Sequence, residues 1–372
     1  MISINGSPLE LGFVGQGVYT RRLIMLLADA FGPEAIRVLD PGGLALPKND
    51  PLERFVCPVP RGRPMGPKLL NGLRTGIQIS RFASRQSRND IFLSPSPIVG
   101  PIPRRSIVVL HDVIYRRFTR YEGKFIVRKL INRLAEATAA RAASVVTISN
   151  FSQQEILTYT NVPSEKLTVI PNWIDDKFAR AAKEADLDAV RRKYGLPPRY
   201  WLYVGGYDYR KNVEFLIDAF AKVSSAVACP TLVLAGKIPG DISKPVCDVH
   251  GAIRRAAVPP GKIHLPGFIE EADLPGVYAG AELHVFPSLM EGYGYSAAES
   301  LACGCPCIAA DNSGLREVIL DRDYRFPTHS SSELETMLAR AASIKLPLNP
   351  SLPDFDPQRA RRQFTSLFNS LC

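Results

Sequence analysis

No stretch of this 372-residue chain approaches the ~18–20 consecutive apolar residues needed to cross a bilayer; runs such as 107–110 (Ile-Val-Val-Leu) are strand-sized. The first residues, MISINGSPLEL, lack the basic leader and apolar core of a signal peptide, so the chain is expected to stay in the cytosol. A disulfide framework is also missing. The seven cysteines (57, 229, 247, 303, 305, 307 and 372) are odd in number and are not paired as in a small secreted fold. Cys303-Gly-Cys305-Pro-Cys307 invites a metal reading, but its spacing lacks the two-to-four-residue gap of structural zinc sites, and no His or further Cys follows within twenty residues. Small buried thiols beside a turn are the better expectation. There is no low-complexity tract and no short fixed repeat, and 46% hydrophobic against 22% charged residues excludes wholesale disorder.

What is present is an uneven charge. The formal net charge is +10; residues 1–170 hold 23 Lys+Arg and 12 Asp+Glu, while 171–372 hold 23 and 24. The excess gathers at Arg61, Arg63 and Lys68, then Arg81, Arg85 and Arg88, then from Arg104 to Arg133. Such asymmetry points to an anionic partner, whether nucleic acid, a membrane surface or a phosphorylated substrate; a plain solvated basic surface is the bland alternative.

Short apolar runs alternate with helix-length amphipathic stretches. Residues 107–110 and 143–148 read as buried strands, and 125–142 as a helix whose apolar stripe is Ile126, Leu130, Leu134 and Ala137. A polar stretch, 173–198, is taken as a linker. A second series of strands follows at 201–204, 231–235, 262–265, 282–286 and 306–309, separated by helices near 213–225, 272–280 and 295–303. Strands alternating with helices imply an α/β fold with doubly wound parallel sheets, here two Rossmann-like domains. The expected division is 1–172, the linker 173–198, a second domain 199–352, and a C-terminal helix within 353–372.

Three glycine loops carry candidate chemistry, since ligands of open α/β sheets sit beyond the carboxyl ends of strands. Gly15-Gln16-Gly17 leads into a helix from Thr20; with Thr20 where a dinucleotide fingerprint has Gly or Ala, and no clear strand before it, it is weak evidence for a nicotinamide cofactor but a plausible phosphate-facing loop. Gly205-Gly206 follows the first strand of the second series, and Arg210-Lys211 places two cations ahead of a helix, a combination suited to a diphosphate. The third loop runs from Pro287 through Glu291, Gly292, Tyr293, Gly294, Tyr295 and Ser296 to Glu299 on a helix; its carboxylates can accept from sugar or ribose hydroxyls, with a solvated helix glutamate the alternative for Glu299.

The segment 287–308 resembles the signature of the family 4 retaining glycosyltransferases, whose two glutamates are separated by seven residues, here Glu291 and Glu299. Residues 265–269, 205–212, 107–112, 147–152 and 169–172 are similar to that family in the same order, so the likeness spans about residues 5–325. The resemblance implies a GT-B architecture, with an N-terminal domain for the acceptor, a C-terminal domain for the sugar nucleotide and a last helix returning to the first domain. By motif, Lys211 and Arg210 would neutralise the diphosphate, Glu291 would bind donor sugar hydroxyls with the backbone of 292–296 nearby, Glu299 would hold the ribose and Phe268 would lie by the base. His111 would face the sugar, or else be a structural loop histidine; Gly15, Gln16, Gly17 and Asp112 would line the acceptor or phosphate side. The sequence departs from the family pattern at Gly206, where an Arg is common, at Tyr293 and Tyr295, and at Trp173.

The resulting expectation is a retaining, metal-independent hexosyltransferase, with GDP-mannose the first donor considered and dTDP-rhamnose and UDP-sugars behind it. Its acceptor would be a saccharide or polyprenyl-diphosphate-linked glycan of surface polysaccharide. No cofactor or metal is expected; Asp-x-Asp occurs at Asp186, Asp321 and Asp354, in the linker, a late loop and the tail, where chance explains it. The basic first half would give weak, salt-sensitive contact with the anionic inner leaflet of the plasma membrane. The alternatives are a GT-B sugar-nucleotide epimerase and a non-enzymatic anionic-polymer binder, the latter without any recognisable nucleic-acid motif.

Overall fold

Strands buried on both faces should read as near-continuous apolar runs, and the central strands here come close: Ser106–Val109, Ser144–Thr147, Leu283–Phe286 and Cys307–Ala310 are buried at every position, with Ser106, Ser144, Thr147 and His284 their polar members. The computed structural model describes residues 1–11, 15–41, 44, 46, 49–59, 68–86, 89–118, 126–225, 229–238, 240 and 246–371. The basic residues Arg61, Arg63, Arg88, Arg120 and Lys124 lie outside them.

The first sheet contains β1 (Ile2–Asn5), β2 (Ile36–Asp40), β3 (Val56–Pro58), β4 (Ile91–Ser94), β5 (Ser106–Val109), β6 (Ser144–Thr147) and β7 (Leu167–Val169), all parallel, in the order β3-β2-β1-β4-β5-β6-β7. Ile4 of β1 is thus flanked by Val38 of β2 and Leu93 of β4. The second sheet contains β8 (Tyr200–Val204), β9 (Thr231–Ala235), β10 (Ile263–Gly267), β11 (Leu283–Phe286), β12 (Cys307–Ala310) and β13 (Arg325–Phe326), also parallel, in the order β10-β9-β8-β11-β12-β13. In each, the chain winds outward one way and then restarts on the other side, so a topological switch point falls between β1 and β4 and between β8 and β11.

Thirteen helices are named among the described residues: α1 (Gln16–Phe31), α2 (Lys68–Ser84), α3 (Ile126–Arg141), α4 (Asn150–Tyr159), α5 (Asp176–Glu184), α6 (Leu187–Tyr194), α7 (Val213–Val223), α8 (Val249–Arg255), α9 (Leu274–Ala279), α10 (Tyr295–Ala302), α11 (Leu315–Val318), α12 (Ser331–Ser343) and α13 (Pro357–Asn369). Two Rossmann-like units result. One comprises Met1–Asn172 with Pro357–Cys372, the other Trp173–Asp356. Helix α13 belongs to the first unit: Ala360, Phe364 and Phe368 are buried, the Phe368 ring meets Phe31 of α1 at 5.3 Å, and Arg361 donates to the Asp29 carbonyl at 2.8 Å. Because α13 adds only cations, the charge asymmetry sharpens. The first unit holds 26 Lys+Arg against 12 Asp+Glu, and the second 20 against 24.

Three local expectations need correction. Residues 173–198 are not an open linker: α5 and α6 both pack on α9 in the second unit. Helix α6 is well delimited, with the Asp186 carboxylate accepting from the backbone of Asp188 and Ala189 and Gly195 closing it in the left-handed conformation. A strand does precede the Gly15 loop; β1 escapes a hydrophobicity scan because Ser3 and Asn5 are polar although buried, Asn5 donating to Ser94 Oγ at 3.0 Å. The stripe assigned to α3 is inverted. Leu130 and Leu134 are 55% and 42% exposed, with Ala137 also outward, while Ala135, Thr138 and Ala139 turn inward. The small residues let the helix approach β5 and β6, where Ala139 packs among Val108 and Val145.

Candidate active site

At the switch point of the second sheet, the loops after β8 and β11 face each other. The first passes Gly205 and Gly206 into a single 3-10 turn, Tyr209–Lys211, and Asn212 in the left-handed conformation before α7. The glycines of this region permit close backbone approach: a Cβ on Gly236, after β9, would lie 2.0 Å from the Gly205 carbonyl oxygen. The second loop is laced to the first by three bonds. Leu289 N–H donates to the Arg210 carbonyl (2.8 Å), Asn212 Nδ2 to the Pro287 carbonyl (3.2 Å) and Arg210 Nη1 to the Met290 carbonyl (2.7 Å).

This lacing brings together three of the residues singled out by sequence. Lys211 Nζ lies 2.7 Å from Glu291 Oε1, and Arg210 Nη1 lies 2.6 Å from Glu291 Oε2. The Lys211 ammonium also sits 5.3 Å from the centre of the Phe286 ring. Burial alone would raise the Glu291 carboxyl, but the charges of Arg210 and Lys211, and the hydrogen bonds they donate, outweigh it and hold the group down at about 2. An ionised carboxylate and two fixed cations therefore share a largely desolvated corner, where charge-assisted hydrogen bonds are strong. The same cations match the oxygens of a phosphate.

Beyond Glu291, Gly292 leads to Tyr293, which is buried, and to Gly294, which precedes α10. The Tyr293 and Tyr295 rings meet edge to face at 6.3 Å, and Tyr295 Oη reaches the Trp173 carbonyl at 3.5 Å. Ser296 Oγ donates to the Val204 carbonyl (3.2 Å), tying the first turn of α10 to the end of β8 beside Gly205. Glu299 is placed differently from Glu291. It is buried one helix away, and Tyr278 Oη donates to its Oε2 at 3.3 Å. Phe268, directly after β10, leaves half of its surface exposed.

The first unit positions the other group of residues. Gly15, with φ 47°, opens α1, followed by Gln16 and Gly17. Tyr19 on that helix sets its buried ring edge-on to His111, centroids 4.6 Å apart. His111 Nε2 lies 2.8 Å from the Pro95 carbonyl oxygen. A carbonyl can only accept, so Nε2 carries the proton and Nδ1 the lone pair. Burial, partly offset by that bond, lowers His111 to about 4. The ring is neutral near pH 7, able to accept from a hydroxyl but not to supply charge. Asp112 Oδ1 accepts from the Ile114 amide at 3.2 Å, a local turn cap.

Each Asp-x-Asp copy has a structural use. Asp186 caps α6, Asp321 accepts from Ser351, and Asp354 accepts from the Asp356 amide. Cys305 and Cys307 are buried, and burial pushes the Cys307 thiol up to about 12. Among the described residues no group of three or more His, Cys, Asp or Glu is arranged to hold a metal ion, and no helix is long and apolar enough to cross a membrane. Sequence reasoning missed Tyr19, Pro95, Tyr278 and the pair Asn312–Ser313. Only the last had a local signal, the turn-forming Asn312-Ser313-Gly314 after a strand.

A family model described as "Glycosyltransferase Family 4" matches residues 14–178, and one described as "Glycosyl transferases group 1" matches residues 198–343. The chain is 28% identical over 247 residues to the serotype-specific mannosyltransferase WbdA of Escherichia coli, an alignment covering 64% of this chain and 29% of that protein. It is 27% identical over 243 residues to the O-antigen chain mannosyltransferase B of Escherichia coli, covering 64% and 62%. The chain thus spans less than two thirds of the length of either relative. In fold it is similar to sucrose-phosphate synthase from Thermosynechococcus elongatus, with TM-score 0.75, 18% identity, and 100% and 98% of the two chains covered.

Proposed function

We propose that this chain, which carries a glycosyltransferase family 4 domain followed by a glycosyl transferases group 1 domain, is a retaining, metal-independent hexosyltransferase moving mannose from GDP-mannose to a saccharide or polyprenyl-diphosphate-linked acceptor of surface polysaccharide. The observation that carries this reading is the convergence of Arg210, Lys211 and Glu291 at the switch point of the second sheet. The names of the two mannosyltransferase relatives support the choice of sugar. Both family models describe glycosyl transferases, so the epimerase alternative is not favoured.

Breaking a glycosyl–phosphate bond develops positive charge on the sugar and negative charge on the departing diphosphate. In this reading Arg210 and Lys211 meet the diphosphate, and the Glu291 carboxylate they now hold turns to the donor sugar hydroxyls. Fixed cations act more strongly on the transition state than on the ground state, because the charge they oppose is still growing. The acceptor hydroxyl attacks the anomeric carbon on the face the diphosphate leaves, and its proton passes to a leaving phosphate oxygen. Glu299 holds the ribose, Phe268 lies by the base, and the backbone of 292–296 lines sugar and phosphate. His111 accepts from a sugar hydroxyl through Nδ1, and Gly15, Gln16 and Gly17 serve the acceptor or phosphate side.

The outward face of α3 supports a peripheral position on the anionic inner leaflet. It aligns Leu130 and Leu134 with exposed Lys129, Arg133 and Arg141, in the unit that holds the whole cationic excess.

Thermal shift with GDP-mannose, GDP, dTDP-rhamnose, UDP-glucose and UDP-GlcNAc in the presence of EDTA tests the donor assignment. The guanosine compounds are expected to raise Tm by mass action. A response to another base would replace the donor, and a response that required added metal would overturn metal independence.

A further inference from the structure

Glu291 is gripped from behind as well as from the front. Its carboxylate is held by Arg210 and Lys211, but both of its backbone polar groups are taken by the loop after β12. The Glu291 N–H donates to Ser313 Oγ at 2.9 Å, and the Glu291 carbonyl accepts from the Gly314 N–H at 3.1 Å. The Ser313 hydroxyl in turn donates to Asn312 Oδ1. Asn312 Nδ2 donates to the Ser288 carbonyl at 2.9 Å and to Thr328 Oγ1 at 3.0 Å. One side-chain amide therefore fixes the loop three residues before Glu291 and, through Ser313, Glu291 itself.

Two features set this apart from ordinary loop packing. Ser313 has φ 48°, a left-handed conformation that costs a non-glycine residue some strain and that glycine would adopt freely. Next to it, Gly314 sits so close to the opposing loop that a Cβ would lie 2.2 Å from the Gly292 carbonyl oxygen. The chain thus has the conformationally permissive residue where contact demands it, and a strained serine where a hydroxyl is needed.

We infer that Ser313, oriented by Asn312, is a positioning residue for Glu291: its hydroxyl fixes the backbone from which the carboxylate reaches the donor sugar. The inference rests on the role proposed for Glu291, and its test separates the two.

The decisive variant is Ser313→Gly, which removes the hydroxyl while keeping the backbone conformation accessible. Its Tm is expected to stay close to that of the wild type, because relief of the strain offsets the lost hydrogen bond and the greater freedom of glycine in the unfolded chain. Hydrogen exchange at the Glu291 amide, followed by mass spectrometry on the peptide covering 290–293, should be about tenfold faster with the loss of one hydrogen bond. Turnover of GDP-mannose, read as released GDP, should fall about tenfold with the affinity for GDP unchanged. Asn312→Ala should act in the same direction. In a Glu291→Ala background Ser313→Gly should cost nothing further, a coupling that a merely structural role would not produce. Unchanged exchange at Glu291, a turnover loss that follows a loss of Tm, or additive effects in the double variant would each overturn the inference. Full turnover in Glu291→Ala alone would instead overturn the catalytic reading, while the exchange measurement still decides whether Ser313 holds Glu291 in place.

Discussion

The two units share the order of their first six strands, the first unit adding a seventh, yet build their sites from opposite materials. In the second, charge is concentrated and locked: Arg210 and Lys211 converge on Glu291, and the loops that carry them are cross-bonded at Leu289, Met290 and Pro287. In the first, His111 is a neutral ring held by one carbonyl and an aromatic edge, while the unit's cationic excess includes the exposed α3 residues Lys129, Arg133 and Arg141. A Rossmann-like sheet specifies where a ligand can sit, not what it will be; the loops at its switch point do that. In the proposed reaction the fixed cations of the acidic unit oppose a departing diphosphate, whereas the neutral His111 ring of the basic unit offers no charge.

The largest expected effect breaks that comparison on activity. Glu291→Ala should lower turnover of GDP-mannose by about two to three orders of magnitude, as expected for a group engaged with developing charge. His111→Asn should lower it only about tenfold, the worth of one neutral hydrogen bond. Comparable losses from the two, measured as kcat, would erase the asymmetry between the sites.

Stability against pH sharpens the comparison next. His111 at about 4 and His284 at about 3, both lowered mainly by burial, titrate below the ordinary value of 6.5. The unfolded chain therefore takes each proton first, and stability is full above about pH 6.5 and lost as pH falls toward 4 and then 3, by of order 3 kcal/mol for His111 and of order 5 kcal/mol for His284. Glu291, at about 2 against an ordinary 4.5, adds a separate loss that begins only below about pH 4.5. Urea midpoints between pH 7 and pH 3 should show the upper window shrink in His111→Gln while the lower one persists.

The smallest effect concerns the surface of α3. The double variant Lys129→Glu, Arg133→Glu should reduce co-sedimentation with phosphatidylglycerol-containing vesicles severalfold at low salt, with little change at high salt. Equal binding of both proteins would remove α3 from the account.

How much of this was legible beforehand follows from where side-chain polarity and burial agree. The strand at 231–235 and the helix starting at 213 were read to the residue, because buried apolar runs and an amphipathic period leave few alternatives. The first strand escapes the sequence because Ser3 and Asn5 are polar yet buried, Asn5 through its bond to Ser94 Oγ. The face of α3 was inverted because two stripes compete on it, and close packing on the sheet selected alanines over leucines. Helices α5 and α6 looked like a linker because their anchors are few; Phe178 is buried, and Tyr194 donates to Asp273 at 2.6 Å, a partner 79 positions away. At the site, motif spacing named Arg210, Lys211 and Glu291, but their meeting within 2.7 Å depends on 80 residues of intervening fold. The Asn312-Ser313-Gly314 turn is legible locally, but the backbone groups of residues 288 and 291 that Asn312 and Ser313 bond belong to another loop and are not.

The most direct test of the central claim is the steady-state release of GDP from GDP-mannose, with an alkyl α-mannoside as acceptor and EDTA present, for the wild type and Lys211→Ala. The account predicts a metal-free wild-type rate and a loss of about two to three orders of magnitude in kcat once the ammonium is removed. A Lys211→Ala enzyme that kept the wild-type rate would contradict it.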